Sequence, residues 1–209
     1  MRIIRRSGGA WMTDWPDADL NLAAQVSRHT TLKVDMEGKT LKLTDPTLAD
    51  HRFIYMAEPG SLLLEQDELT ALRRYLLDGG FLMVDDFWGD GEWQGFYNQI
   101  KRVFPNREPV ELPVTHKVFH CVFDLTEKPQ VPSIGHALAG YKTERVDAKE
   151  VNYRAFFNDA GRMMIITCHN TDLADGWECE DTDAWYYKEY SVKRAYPMAI
   201  NITFFALTQ

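Results

Sequence analysis

Two adjacent aspartates are the first residues in this chain whose type and position could support chemistry. Asp85 and Asp86 directly follow the apolar run Phe81–Val84, which has the length and composition of a buried strand. Carboxylates at a strand end can act as a general base or as ligands for a hard metal ion. They can equally solvate a loop and cap the next helix. Because successive strand side chains point to opposite sides, we expect one to face a crevice and the other to cap a helix.

Histidines supply the second group of candidate catalytic residues. His169 ends the apolar run MMIITC and precedes a polar stretch that contains Asp172 and Asp175. A histidine beside carboxylates suits proton transfer, and a solvated acidic loop is the alternative interpretation. His120, the other candidate, lies in a segment that could return toward the same rim.

A metal site is not predicted from the spacing of these residues. His116 and His120 are four residues apart, which would place them on one face of a helix, but Pro113 and the β-branched neighbours disfavour a helix there. Further ligands at a known template spacing are missing. The sequence therefore predicts no metal ligands and no cofactor, and Cys121, Cys168 and Cys179 are interpreted as structural thiols.

The elements that must position these residues follow a strand and helix alternation. The run 51–57 and the run 81–84 both read as buried strands, and the segment 65–80 between them has helical periodicity with Gly79 and Gly80 at its end. A second helix follows Asp86. This order predicts neighbouring parallel strands joined by a right-handed crossover, with helices on both faces of the sheet. The predicted fold class is doubly wound α/β with a mainly parallel sheet.

Ligands bind such sheets outside the carboxyl ends of the strands. This rule selects the loop 57–61, which contains Glu58, and the loop 85–90, which contains Trp88. Asp172 and Asp175 belong to the polar stretch at the end of the later strand. We therefore predict these four residues as ligand-binding candidates. The tryptophans in or beside loops could form a stacking platform for a sugar-like ring or could pin loops to the domain.

The remaining elements are predicted with less regular spacing. The pattern predicts a short strand at 2–5, a helix at about 17–29 and a strand at 31–35, followed by a connection through Leu41, Leu43 and Pro46 in which one more short strand is left open. It also predicts a hairpin formed by 151–157 and 163–168, and a terminal helix in which β-branched residues leave a strand open. Residues 105–150 are expected to be an irregular insertion. We expect one α/β domain over residues 1–209. Asn201 begins a glycosylation sequon, which is discounted because it lies within an apolar element.

The composition excludes several classes of protein. Among 209 residues, 23 Lys and Arg face 31 Asp and Glu, giving a net charge of −8, so we expect neither a nucleic-acid partner nor an anionic membrane surface. Phosphate-binding glycine motifs are missing, which disfavours a nucleotide site. No apolar run reaches the length of a membrane-spanning helix. The sequence predicts a soluble chain without membrane insertion, and a removed signal peptide stays open.

Several separated motifs resemble a known bacterial family. The pieces GGFLMVDDFWG, RVFP, HKVFHCVFDL, CHNTDLADGWE and AINITFFALTQ resemble, in this order, the domain of unknown function 4159 family. This resemblance implies a flavodoxin-like fold of the class I glutamine amidotransferase-like superfamily. It also implies an envelope location for an exported form, and a cytoplasmic location otherwise. The family itself implies no activity.

The resemblance also implies which chemistry is missing. In true glutamine amidotransferases the corresponding strand ends in a cysteine nucleophile, where this chain has Asp85 and Asp86. Thiol-dependent amidotransferase activity is therefore not expected.

Two functional hypotheses stay open at this point, and whether the protein is an enzyme is not decided by its sequence. The first is a noncatalytic module that binds a small polar ligand or a protein partner. The second is a hydrolase or isomerase, with or without a metal, that uses Asp85 or Asp86 with a nearby histidine. A homodimer through the terminal or tyrosine-rich segments is also left open.

Overall fold

A computed structural model describes residues 1–6 and 10–209 of the chain. Its strands are β1 (Arg2–Ile4), β2 (Thr40–Lys42), β3 (Phe53–Ala57), β4 (Phe81–Asp85), β5 (Val110–Glu111), β6 (Asn152–Phe157) and β7 (Met163–His169). They form one seven-stranded sheet in the order β2-β1-β3-β4-β7-β6-β5.

The sheet is parallel over most of its width. β3 and β4 pair in parallel with Phe53 opposite Phe81 and Ala57 opposite Asp85, so the predicted pair of neighbouring parallel strands is confirmed. β1, β2 and β7 continue the parallel part, whereas β6 and β5 are antiparallel. The predicted hairpin is confirmed as the β6–β7 pair. The fold is therefore of the mixed α/β class, with one mostly parallel sheet flanked by helices.

The helices lie between the strands and at the carboxyl terminus. They are α1 (Asp17–His29), α2 (Gln66–Leu77), α3 (Gly89–Val103), α4 (Ile134–Leu138), α5 (Asp175–Glu178), α6 (Ala184–Tyr186), a π-helix (Tyr187–Ala195) and α7 (Tyr196–Thr208). α1 and the terminal helix confirm the predictions for 17–29 and for the last segment. In the part of the chain that the structure describes, no helix is long and apolar enough to cross a membrane.

Two apolar cores cover the two faces of the sheet. One contains residues of α1 and α7, and the other contains residues of α2 and α3. β4 is buried along its whole length, as expected for a central strand covered on both faces. Removal of this apolar surface from water is the main contribution to stability.

Local interactions at both ends determine the length of α2. Glu65 and Glu68 form a reciprocal capping box at its amino end. After the helix, Gly79 adopts a positive φ of 111°, which favours glycine. A Cβ atom on Gly80 would lie 2.3 Å from the Tyr75 ring. The two glycines therefore end the helix and let the chain turn directly into β4.

A close backbone approach joins the loop after β3 to α3. A Cβ atom on Gly95 would lie 2.2 Å from the carbonyl oxygen of Gly60, and a Cβ atom on Gly60 would lie 2.6 Å from the side chain of Glu92. Neither position has room for a larger residue without displacement of one segment.

Some elements differ from the predictions. Residues 31–35 form no strand, although Leu32 and Val34 pack against the core. The second strand lies at Thr40–Lys42, in the connection where the sequence leaves one more short strand open. Residues 105–150 are largely irregular, with one two-residue strand, one 3-10 helix (Lys117–Phe119) and one short α-helix. Asn201 is fully buried, and its side chain bonds the backbone of Val122 and Phe123, so it is inaccessible for glycosylation in the folded protein.

Asp85 connects β4 to the segment after β7. Its side chain is fully buried, and Oδ2 accepts hydrogen bonds from the backbone N–H groups of Leu173 at 2.9 Å and Ala174 at 3.1 Å. The Tyr55 hydroxyl lies 3.5 Å from the same oxygen. Burial raises the pKa of Asp85 to about 8. This carboxyl group therefore holds the turn that presents Asp172.

We predict that Asp85→Ala and Asp85→Asn differ in stability. The alanine variant leaves two buried N–H donors without an acceptor, which lowers the free energy of unfolding by about 2 kcal/mol or more. The asparagine variant keeps an acceptor oxygen and retains most of the stability. Urea unfolding at neutral pH measures both, with the exposed Asp181→Ala as control. Equal loss in the two Asp85 variants would contradict this role.

His169 holds the amino end of α3 against β7. It is 3% exposed, its Nε2–H donates to the Gly89 carbonyl oxygen at 3.0 Å, and its Nδ1 accepts from Arg154 at 3.3 Å. This pattern requires the neutral ring. Burial lowers the pKa of His169 to about 4.

We predict that this histidine destabilises the fold in acid. Between pH 6.5 and 4 the unfolded chain binds a proton that the native ring does not. The contribution of His169 to the free energy of unfolding is therefore present above pH 6.5 and is lost as the pH falls. From pH 7 to pH 5 the stability of the wild type relative to His169→Gln should fall by about 2 kcal/mol. Urea unfolding at both pH values tests this, with His29→Gln as the exposed control. An unchanged difference would disprove the assignment.

Candidate functional site

A crevice of about 640 Å³ opens at the carboxyl ends of the parallel strands. Glu58 follows β3 directly, Asp86 follows β4, and Asp172 lies three residues beyond β7. Asp14, from the segment before α1, completes this side. The opposite wall includes Ser133, His136, Glu144 and Arg145. The crevice therefore occupies the edge where sheets of this type bind ligands.

Carboxyl groups dominate the lining. Acidic residues at seven positions contribute to it: Asp14, Glu58, Asp86, Glu92, Glu144, Asp172 and Asp175. Among the described lining residues, Arg145 and His136 are the basic ones.

Two of the seven have protein partners near the floor of the crevice. Glu58 accepts hydrogen bonds from the Thr13 hydroxyl at 2.5 Å and the Ala10 N–H at 3.2 Å. Glu92 accepts one from the Trp88 N–H at 2.7 Å and pairs with Arg145 at 2.7 Å. Both carboxylates thus have hydrogen-bond donors within the protein, and Glu92 also has a cationic partner.

Two more have partners in the opposite wall. Glu144 accepts a hydrogen bond from the Ser133 N–H at 2.7 Å. Asp175 Oδ2 accepts from the Ile134 N–H at 2.5 Å and from the Tyr186 hydroxyl at 3.0 Å. These carboxylates anchor the wall and are engaged by it.

The remaining three, Asp14, Asp86 and Asp172, face one another. One carboxyl oxygen of each lies within 4.8 Å of the others. Asp172 is 5% exposed, and its Oδ1 accepts the Asp175 N–H at 2.9 Å. Asp14 Oδ2 is buried without a hydrogen-bond partner. We call these residues the aspartate triad.

The protonation of the triad reflects this crowding. Burial, followed by repulsion from Glu178 and Asp175, raises the pKa of Asp14 to about 8, although Arg2 lowers it. Burial and the charges of neighbouring aspartates raise the pKa values of Asp86 and Asp172 well above the usual range. Like charges held this closely are unfavourable unless a proton or a cation is shared between them.

Backbone strain accompanies the acidic side of the crevice. Asp14, Glu58 and Asp86 have φ values of 60°, 45° and 58°, in the left-handed region that non-glycine residues rarely adopt. Specific contacts hold two of them: Arg5 donates to the Glu58 carbonyl oxygen at 2.7 Å, and the Trp88 indole N–H donates to Asp86 Oδ1 at 3.3 Å. Such strain often accompanies functional sites.

A second acidic cluster lies beside the triad and differs from it. Asp175, Glu178 and Cys179 also have ligand atoms within 4.8 Å of one another. Asp175 already accepts the hydrogen bonds described above. Burial raises the pKa of Cys179 to about 12, so its sulfur is a thiol. This cluster is interpreted as part of the scaffold.

The predicted site residues separate into two groups. Those that line the crevice are Glu58, Asp86, Trp88, Asp172 and Asp175. Asp85 lies beneath it as a backbone acceptor. The adjacent aspartates thus point to different environments, and Asp85 receives N–H groups at the start of α5 rather than capping the helix that follows it.

The histidines predicted for the same rim lie elsewhere. His169 is directed to Gly89 and Arg154, as described above. His120 has both ring nitrogens engaged, Nδ1 with Asp124 at 2.5 Å and Nε2 with the Val114 carbonyl oxygen at 2.7 Å. His116 accepts the Val118 N–H through Nδ1. The structure therefore does not bring these histidines to the aspartates.

Among the described residues that line the crevice, none presents an exposed aromatic ring as a platform. Trp88 is 4% exposed and presents its indole N–H to Asp86. Trp177 and Tyr186 are buried, whereas Trp185 is half exposed in α6. The tyrosine-rich segment thus contributes to the core through Tyr186.

Sequence reasoning missed Asp14, Ser133, His136 and Arg145. Asp14 precedes its partners by more than seventy residues, and only the unusual turn-forming segment TDWPDAD gave a local signal. The other three belong to the irregular insertion, where no periodic pattern indicates which side chains face inward.

Comparisons with known proteins assign the chain to a family. A search of the curated proteins finds no match. The model of one family, described as Domain of unknown function (DUF4159), matches residues 1–207, nearly the entire chain. The chain belongs to the DUF4159 family.

Proposed function

We propose that this protein is a polar-ligand-binding module whose crevice holds a divalent cation through Asp14, Asp86 and Asp172. The observation that carries the proposal is the aspartate triad itself. Its three carboxyl groups converge in a crevice, and no described basic side chain forms an ion pair with any of them. Each of the other four acidic lining residues accepts at least one hydrogen bond of 2.7 Å or less, whereas Asp86 accepts one from Trp88 at 3.3 Å and Asp172 one from Asp175 at 2.9 Å.

The donor set supports a hard cation. Carboxylate oxygens are the ligands that Mg²⁺, Mn²⁺ and Ca²⁺ prefer. Asp14 Oδ2 is buried and accepts no hydrogen bond, so an oxygen with full acceptor capacity is available to such an ion. Three carboxylates leave further coordination positions for water or for a polar ligand.

We also propose that the chain has a flavodoxin-like fold of the class I glutamine amidotransferase-like superfamily and forms one domain. The parallel strand order β2-β1-β3-β4-β7 supports this, because flavodoxin-like sheets have the second strand outside the first. The cysteines give no support for thiol-dependent amidotransferase chemistry, because Cys168 is fully buried within β7.

We predict that divalent cations raise the melting temperature through the triad. Binding to the native state alone stabilises by mass action, about 2.7 kcal/mol at a hundredfold excess over Kd. Asp86→Asn and Asp172→Asn should abolish the shift. Both should also raise the melting temperature without cation, because they remove repulsion between neighbouring aspartates. Thermal denaturation with Mg²⁺, Mn²⁺ or Ca²⁺, against chelator, measures both effects.

The exposed Asp181→Asn serves as control and should keep the wild-type shift. A loss of stability in the triad variants without cation, together with an unchanged cation shift, would refute the proposed site.

A metal-assisted hydrolase is the second candidate function. One observation favours it: His136 lies in the crevice wall, with Nδ1 2.8 Å from Ser133 Oγ and 3.9 Å from Glu144 Oε2. A histidine in a cation-binding crevice could accept a proton from an attacking water molecule. Here Asp86 would be a cation ligand and His136 would replace the histidines predicted from the sequence.

The hydrolase hypothesis predicts cation-dependent turnover that requires His136. With Mn²⁺ or Mg²⁺ and a panel of carboxylic and phosphoric esters, His136→Ala should lower kcat by about 100-fold or more while the cation-induced thermal shift persists. His51→Ala is the control outside the crevice. Turnover that survives in His136→Ala would exclude this histidine, and turnover that survives in Asp86→Asn would exclude the cation.

A further inference from the structure

We propose that the ligand is a neutral polyol with adjacent hydroxyl groups that coordinate the cation bound by the aspartate triad. This inference rests on the proposed function and adds the chemical class of the ligand. It is argued from the hydrogen-bonding capacity and the charge of the crevice, and from one buried triad oxygen that has no donor, Asp14 Oδ2.

The crevice is rich in acceptors and poor in free donors. Its lining hydroxyl and guanidinium groups are largely committed: Thr13 donates to Glu58, Arg145 donates to Glu92, and Ser133 shares a hydrogen bond with His136. An ionised carboxylate only accepts hydrogen bonds. A complementary ligand must therefore bring donors of its own.

The charge of the crevice disfavours an anionic ligand. Of the lining residues that the structure describes, seven carboxyl groups face one arginine and one histidine, and Arg145 is already paired with Glu92. When these carboxyl groups are ionised, a divalent cation reduces the excess negative charge without reversing it. A phosphate or carboxylate would supply acceptors where donors are needed and would meet like charge.

Adjacent hydroxyl groups meet both requirements. Their oxygen lone pairs can occupy the cation positions that three aspartates leave open, while their O–H groups donate to the surrounding carboxylates. An amine also donates, but its positive charge would compete with the cation for the same aspartates. Added cation should therefore strengthen the binding of a polyol and weaken the binding of an amine, which makes the two classes of ligand distinguishable.

The contacts around Trp88 agree with recognition by hydroxyl groups rather than by ring stacking. The indole is 4% exposed and its N–H is directed to Asp86. The ring therefore positions one of the proposed cation ligands and does not offer a face to the ligand. A linear polyol should therefore bind as a cyclic sugar does, provided that it has adjacent hydroxyl groups.

Isothermal titration calorimetry on the full chain tests the proposal. The probes are a panel of hexitols and hexoses that covers both relative configurations of adjacent hydroxyls, 1,6-hexanediol, a hexitol monophosphate and 1,5-diaminopentane. Each is titrated into protein with saturating Ca²⁺ or Mg²⁺ and into chelator-treated protein. We expect at least one polyol to bind about tenfold or more tightly with cation than without it, and Asp86→Asn to lose this binding while Asp181→Asn keeps it.

The other probes identify the chemistry. Hexanediol should not bind, the phosphate should bind more weakly than its parent hexitol, and the diamine should lose affinity when cation is added. A cation-induced thermal shift without binding of any polyol in the panel, or tighter binding of the phosphate, would overturn the ligand class and leave the cation site in place. Absence of the cation shift itself would instead overturn the proposed function.

Discussion

Two hydrogen bonds to one buried carboxyl group determine how this crevice is built. Asp85 ends the central strand β4 and accepts the backbone N–H groups of Leu173 and Ala174, which belong to the segment after β7. Asp86, the next residue, points into the crevice, and its N–H donates to the Thr171 carbonyl oxygen at 3.2 Å. The adjacent aspartates therefore join two strand ends from beneath and place Asp86 opposite Asp172.

The triad is an arrangement that folding alone does not favour. Three carboxyl groups lie within 4.8 Å of one another, and two of them, Asp14 and Asp86, have left-handed backbone conformations that cost about 1 kcal/mol or more each. Removal of their charges would relieve both the cost of burying a charge and the repulsion between neighbouring carboxylates. The surrounding hydrogen bonds hold the carboxylates together despite this cost, which is the usual relation between a binding site and the stability of its scaffold.

The sequence predicts the sheet better than it predicts the crevice. Continuous apolar runs identified β3, β4 and β7, because strands covered on both faces leave few alternatives for such residues. Strand alternation also predicted that Asp85 and Asp86 would occupy different environments. Asp14 could not be found in this way, since its proximity to Asp86 depends on long-range packing and on a turn with φ of 60°.

The predicted histidines His120 and His169 are directed away from the aspartates for a related reason. His169 was expected at the rim because it ends a strand, but its ring bonds Gly89 and Arg154, and sequence position alone does not distinguish a strand-end side chain directed into the fold from one directed outward. His136 lies in the irregular insertion, where periodicity carries no information about direction. The π-helix likewise had no local signal, since its residues would suit an α-helix.

The contact between Gly60 and Gly95 gives the crevice two walls with different mechanical properties. On one side, the loop after β3 touches α3 backbone to backbone, so Glu58 and Glu92 belong to a single rigid unit. On the other side, the segment with Glu144 and Arg145 is attached through side chains, including the Arg145–Glu92 ion pair, whose arginine is 59% exposed. Any adjustment of the crevice to ligands of different size would therefore be asymmetric, with one wall acting as a fixed reference and the other as the adaptable part.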